Sequence, residues 1–396
     1  MRDYEPGKMK KVPFTGIRRV LEKATKLEAE GKSVIHFEMG QPDFDTPENI
    51  KEAAKRALDQ GVTSYSSNYG YPKLRQAIAD KLEKMNKIKA DPATEIMVTA
   101  GGEEAVAVAI FGMLEAGDQV ILADPGYIPY ASLVKIAEAI PVTVPLVEEK
   151  NYTFDMEKLE AAVTDKTKML ILSTPGNPTG TMMDGESLSR LAEICKKHDL
   201  LVLADEAYEQ VLYDGNQHVS FASLPDMWER TITIQSFSKT YSMCGWRIGY
   251  IAAPAYLIRT MVRAHQTMLM SACSFGQMGA LEALTGPQDS LHEMLAEFDR
   301  RRLLMYNGLT ELGIPCNRPQ AAFYLFPDIS EFGMGSFEFA EYLLDNYGVA
   351  AVPGVEFGQA GENHLRISYA NSYEKCQEGL ARIRRCVEDL RAGIRK

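Results

Sequence analysis

Lys239 stands in Ser236-Phe237-Ser238-Lys239, with Gly245-Trp246-Arg247-Ile248-Gly249 close behind. A lysine that forms imines needs a sheltered setting that lowers its pKa. A phosphorylated cofactor beside it needs hydroxyls and a guanidinium for its dianion. Ser236, Ser238 and Arg247 are of the right types for that second task. Alone, a lysine flanked by serines is ordinarily a solvated loop residue, so the reading depends on the company it keeps.

Asp205 closes the apolar run 200–204. A carboxylate there either caps a helix or faces a buried cation, and opposite a pyridine nitrogen it would keep the ring protonated and electron-withdrawing. Tyr208 follows three residues on and either joins the same place or packs in the core. Thr174-Pro175-Gly176-Asn177-Pro178-Thr179-Gly180 is a turn stiffened by proline and glycine, with Asn177 as its inward polar group. Such a turn is otherwise a mere connector.

Thr99-Ala100-Gly101-Gly102-Glu103-Glu104-Ala105 puts two glycines between a strand and a helix. Free amides at a helix start attract anions, and the macrodipole adds to the attraction. The G-x-G-x-x-G spacing of a dinucleotide site is lacking. Tyr127, in Asp124-Pro125-Gly126-Tyr127, is placed to stack on a ring or simply to be exposed in a turn. Arg366 interrupts the strand-like Leu365-Arg366-Ile367-Ser368. A buried arginine needs an anion, either a structural carboxylate or a ligand's, which its fork of donors suits.

Positioning these groups requires a scaffold. Short apolar runs at 96–99, 120–122, 169–172, 201–204, 232–234 and 248–252 alternate with helical stretches, which predicts an α/β fold with a mostly parallel sheet covered by helices on both faces. In such sheets ligands sit beyond the strand ends, where the candidate residues fall. Helices are expected at 17–30, from Asp45-Thr46-Pro47-Glu48 through 57, at 291–309 and at 373–391, with Gly31 and Gly61 as stops. Short strands are expected at 34–37 and 323–326. The division that follows is an N-terminal arm with part of a small domain (1–45), a large domain (46–289) and a smaller α+β domain (290–396).

The chain has 396 residues, 45% of them apolar and 24% charged, enough for about two domains. Its net charge of -11 argues against nucleic acid or an anionic membrane as partner. No apolar run approaches the ~18 residues of a membrane span. Six scattered cysteines without a C-x-x-C pair, and six histidines without H-E-x-x-H, give no metal site and suggest reduced thiols in a cytoplasmic protein.

Taken together, Gly40-Gln41-Pro42-Asp43-Phe44-Asp45-Thr46-Pro47, the Asn177 turn, Asp205-Glu206-Ala207-Tyr208, the Lys239 motif and Gly245–249 resemble the class I/II aminotransferases of pyridoxal-phosphate (PLP) fold type I, in the same order and over nearly the whole chain. The resemblance implies that Lys239 is the Schiff-base lysine and proton shuttle, and Asp205 the pyridinium partner. Asn177 and Tyr208 would be donors to the cofactor's phenolic oxygen. Gly101, Gly102, Glu103 (through its amide), Ser236, Ser238 and Arg247 would hold the phosphate, with Tyr127 against the ring. It further implies a homodimer in which Tyr65 reaches the neighbour's phosphate, and a clamp for the substrate carboxylate from Arg366, Asn177 and the backbone at Gly40. Members acting on aspartate in thermophilic bacteria carry a lysine where this chain has Glu103, and the partner arginine of the animal and enteric type has no counterpart at 267–275. With Ala321-Ala322-Phe323-Tyr324, the layout is closer to archaeal aromatic aminotransferases. The expectation is therefore transfer from an aromatic or other neutral L-amino acid to an acceptor such as 2-oxoglutarate. A carbon-sulfur β-lyase on the same fold and a non-catalytic amino-acid sensor are the alternatives.

Overall fold

A computed structural model describes residues 4–14 and 16–395. Met1, Arg2, Asp3 and Thr15 of the expected 1–45 part, and Lys396 of the expected 290–396 part, lie outside the described residues.

Eight strands form the central sheet: β1 (Ile96–Thr99), β2 (Gln119–Asp124), β3 (Ile140–Val147), β4 (Thr153–Phe154), β5 (Thr167–Ser173), β6 (Leu201–Asp205), β7 (Thr231–Ser236) and β8 (Gly249–Ala252). Their order is β1-β8-β7-β6-β5-β2-β3-β4. β7, β6, β5, β2 and β3 run parallel, and β1 points the same way through antiparallel β8. The fold is α/β with a mostly parallel sheet, and its central strands are buried because helices pack on both faces. β8, expected among the alternating parallel strands, departs from that pattern. Only the short helix Phe237–Thr240 and a turn separate it from β7, too little chain for a crossover.

β3 was not anticipated, because Pro141 and Pro145 argue against a strand. Its outer side is paired only at Leu146 and Val147, by β4, and such an edge tolerates a missing N–H. Helices Gly16–Ala29, Glu48–Asp59, Asp289–Glu311 and Tyr373–Arg391 fall where periodicity puts them. No side chain caps the helix that begins at Glu48. Pro47 occupies the capping position, Asp45 accepts from Lys51 Nζ at 2.7 Å, and the Thr46 hydroxyl donates to the Ser242 carbonyl at 2.6 Å. No helix among the described residues is long and apolar enough to cross a membrane.

The two chain ends meet. Ile35–His36 pairs in parallel with Val349–Ala350, and Ser368 N donates to the Phe37 carbonyl at 2.8 Å. Leu365–Ser368 is the middle strand between Tyr324–Leu325 and Val352–Pro353. Phe37, Tyr208, Phe323 and Tyr324 share one core cluster, so the small sheets are fixed against the C-terminal edge of the large one. Gly40 and Arg366 are thereby held over the ends of β6 and β7.

Candidate active site

At that edge lies a cavity of about 310 Å³. Of the expected site residues, all but Gly101 and Tyr65 line it: Gly40, Gly102, Glu103, Tyr127, Asn177, Asp205, Tyr208, Ser236, Ser238, Lys239, Arg247 and Arg366. Gly101 sits directly behind, and Tyr65 stands apart, 80% exposed.

One end of the cavity is an anion cradle. The 13-residue helix Gly101–Met113 begins there, aiming its free amides and positive dipole end inward. Gly101 has a φ of +83°, and a Cβ on it would come within 2.6 Å of the Arg247 guanidinium. Gly249 of β8 passes so close that its Cβ would lie 2.8 Å from Gly102 N. Ser236 Oγ donates to Ser238 Oγ at 3.0 Å and accepts from Ser238 N at 3.2 Å. Amides, hydroxyls and a guanidinium converge as a phosphate requires.

In the middle, Lys239 Nζ donates to the Gly40 carbonyl at 2.5 Å. Asp205 accepts from Tyr130 OH at 2.7 Å and from Ala207 N at 3.1 Å, so one oxygen has the capping role and the other takes a phenol. Burial pushes the Asp205 carboxyl above its usual range, with those two bonds opposing the rise. A carboxylate so desolvated calls for a cation, and a ring N–H⁺ meets that need. Tyr208 OH lies 2.7 Å from Tyr324 OH.

At the other end is Arg366, 3% exposed. Its NH1 donates to Asn177 Oδ1 at 3.3 Å and its NH2 to the Glu38 carbonyl at 2.5 Å, while Nε has no partner. Among the described residues no carboxylate pairs with it, so the structural salt bridge is not what holds it. Rings of Tyr324 and Phe357 flank the guanidinium at 4.8 and 5.1 Å. A buried, unpaired arginine fits an incoming carboxylate, each charged hydrogen bond contributing about 1.5–3 kcal/mol. The cradle, the desolvated Asp205 and this orphaned donor together fit a phosphorylated pyridine aldehyde and an amino acid.

Glu38, fully buried, supports Arg366 from behind and accepts from His36 Nδ1 at 2.7 Å. That bond, against the opposing effect of burial and with help from Glu28, raises His36 from 6.5 to about 9. A raised folded-state pKa means that the stabilisation is complete below pH 6.5 and disappears as pH rises through about 9. The melting temperature should fall across that window, and His36→Gln should flatten the fall. An equal slope in the variant would assign it to other groups.

A family model for aminotransferase class I and II matches residues 32–383. The chain belongs to this family and is an enzyme of the aminotransferase class. It is 44% identical over 360 residues to an aspartate aminotransferase of Pyrococcus abyssi, covering 90% of this chain and 92% of the relative. It is 42% identical over 375 residues to aromatic-amino-acid aminotransferase 2 of Thermococcus litoralis, covering 94% and 95%. Among solved structures, the aspartate aminotransferase of Thermus thermophilus with maleate superimposes with a TM-score of 0.92 at 36% identity, covering 97% of this chain and all of that one. The aromatic aminotransferase of Pyrococcus horikoshii gives 0.88 at 43%, covering 93% and 99%. The fold is thus that of fold type I aminotransferases, a family that uses PLP.

Tyr130, Tyr324 and Glu38 also line the cavity of this aminotransferase, and none was among the site residues the sequence pointed to. Tyr130, bonded to Asp205, follows Tyr127 by three positions at the start of helix Ile128–Ile136, a spacing that points both rings to one side. Tyr324, bonded to Tyr208, and Glu38, beneath Arg366, lie in short strands or their flanks, where no local pattern separates a site residue from a core one. Glu103 contributes more than an amide. Its carboxyl accepts from Tyr127 OH at 3.1 Å beside the cavity, and burial pushes it above its ordinary range.

Proposed function

We propose that this enzyme binds PLP at Lys239 and moves an amino group from a neutral, preferably aromatic, L-amino acid to a 2-oxo acid such as 2-oxoglutarate, with ping-pong kinetics. The observation that carries the reading is the buried Arg366, held by neutral groups with Nε unpartnered, at the far end of the same cavity as Lys239 and the anion cradle. The cradle of Gly101, Gly102, the Glu103 amide, Ser236, Ser238 and Arg247 would hold the phosphate, and Asp205 would keep a proton at the ring nitrogen. Asn177 and Tyr208 would donate to the ring oxygen, and Tyr127 would cover the ring.

PLP, when bound, supplies a ring that draws electrons from the substrate's α-carbon. Arg366 and Asn177, with the backbone at Gly40, orient the α-carboxylate so that the α-hydrogen faces Lys239. Lys239 Nζ, released as a free amine once the substrate's amino group has taken its place, would remove that proton as general base and later return it. Glu103, its carboxyl engaged by Tyr127, offers no cation to a donor's second carboxylate, which leaves neutral side chains as the better fit.

Assembly as a homodimer, with Tyr65 reaching the neighbour's phosphate, gives that 80% exposed side chain a place. Cysteines that form no disulfide among the described residues suit the reducing cytoplasm. The division into 1–45, 46–289 and 290–396 is supported by the pairing of Ile35–His36 with Val349–Ala350 outside the eight-stranded sheet.

The test is the absorption spectrum of the PLP-loaded protein as single amino acids are added without an acceptor. Loss of the visible band with stoichiometric 2-oxo acid is expected, faster for aromatic donors than for aspartate. No visible band after PLP addition would overturn the reading, and pyruvate and ammonia from cystathionine without acceptor would make the enzyme a lyase instead.

A further inference from the structure

Tyr324 is 1% exposed, and its hydroxyl makes no hydrogen bond among the described residues other than the 2.7 Å one to Tyr208. Two other site elements depend on the same side chain. Its ring lies under the Arg366 guanidinium at 4.8 Å, and its hydroxyl approaches Gly40 so closely that a Cβ there would sit 2.5 Å away. Gly40 is also the residue whose carbonyl receives Lys239 Nζ.

Each phenol has a single proton to donate. Burial, with Tyr324 adding to it, holds the Tyr208 phenol well above its usual range, so that proton stays on the oxygen. In the bond between the two hydroxyls either can be the donor. If Tyr208 spends its proton on a ligand in the cavity, it must accept from Tyr324, and a hydroxyl that accepts becomes a stronger donor.

We infer that Tyr324 is a positioning residue: its hydroxyl turns the Tyr208 proton toward the cofactor's ring oxygen, and its ring supports Arg366 in the carboxylate-binding pose. This rests on the PLP reading above. Donation to the ring oxygen stabilises negative charge there and loosens its hold on the imine proton at Lys239. Removing the Tyr324 hydroxyl therefore tightens that hold.

The experiment is a pH titration of the visible band in PLP-loaded wild type, Tyr324→Phe, Tyr208→Phe and the double variant, with PLP affinity of each apoprotein measured alongside. Tyr324→Phe should raise the midpoint by about 0.5–1 pH unit and weaken PLP binding about threefold to tenfold, as loss of one hydrogen bond predicts. In the Tyr208→Phe background the same change should do neither, since the hydroxyl acts through Tyr208. Tyr324→Leu, which also removes the ring, should add a rise in KM for the amino acid that Tyr324→Phe lacks. An unchanged midpoint in Tyr324→Phe, or an equal shift in the Tyr208→Phe background, overturns the inference. A wild type without a visible band defeats the PLP reading instead.

Discussion

Lys239→Ala is expected to lower turnover on the order of 10⁴-fold while leaving the fold and the anion cradle in place. The size follows from the absence of a substitute. Lys239 is the only lysine among the described residues that line the cavity, and the other cations there, Arg247 and Arg366, carry guanidinium groups that have no acceptor atom. Asp205 is tied to Tyr130 and Ala207. Glu103 carries a carboxyl already engaged by Tyr127. Loss of the visible band on mixing the PLP-loaded variant with a good donor, followed over hours, measures the residual rate. Turnover within tenfold of wild type would show that another group moves the α-proton.

The largest stability effect is expected behind the site. Lys81 Nζ, nearly buried, donates to Asn86 Oδ1 at 3.0 Å and, in closer contacts, to the Glu209 carboxylate and the Gln235 side-chain oxygen. Glu209 also accepts from Asn86 Nδ2 at 2.6 Å and Gln235 Nε2 at 2.7 Å. Gln235 continues to Glu206 at 3.2 Å, which takes Ser220 Oγ at 2.6 Å and faces His218 Nε2 at 3.1 Å. Lys81→Met would leave Glu209 charged and buried without its cation, at a cost of about 3–5 kcal/mol. The urea midpoint should fall accordingly, and Lys81→Met with Glu209→Gln should recover part of the loss. A single variant within 1 kcal/mol of wild type would mean that the Lys81 cation is not what holds this network together. Since Glu206 and Glu209 neighbour Asp205 and Tyr208, and Gln235 precedes Ser236, weaker PLP binding should accompany the destabilisation.

Much of this arrangement was legible in the sequence because the decisive groups follow strands that are continuous apolar runs. β1, β5, β6 and β7 could be placed within a residue or two, and with them Gly102, Asn177, Asp205 and Lys239. The direction of β8 was not legible, because periodicity is blind to strand orientation. β3 was hidden by two prolines that only an edge strand tolerates. Arg366 was readable as a charge among apolar neighbours, whereas Tyr324 and Tyr130 look like core aromatics until the partners of their hydroxyls are seen. The Lys81 network gave no sequence signal, since its members come from segments more than a hundred residues apart.

The same separation has a consequence for how the enzyme is made. The bond from Lys239 to Gly40 spans 199 positions, and that from Arg366 to Glu38 spans 328. Sheets assembled from such distant pairings have high contact order and form slowly, because long loops must close before any contact rewards them. During synthesis the central strands can associate while the segment carrying Gly40 still waits for the strand Leu365–Ser368. A ribosome-bound chain stalled before that strand would then present a half-built cleft with Lys239 uncovered, open to any aldehyde in the cell.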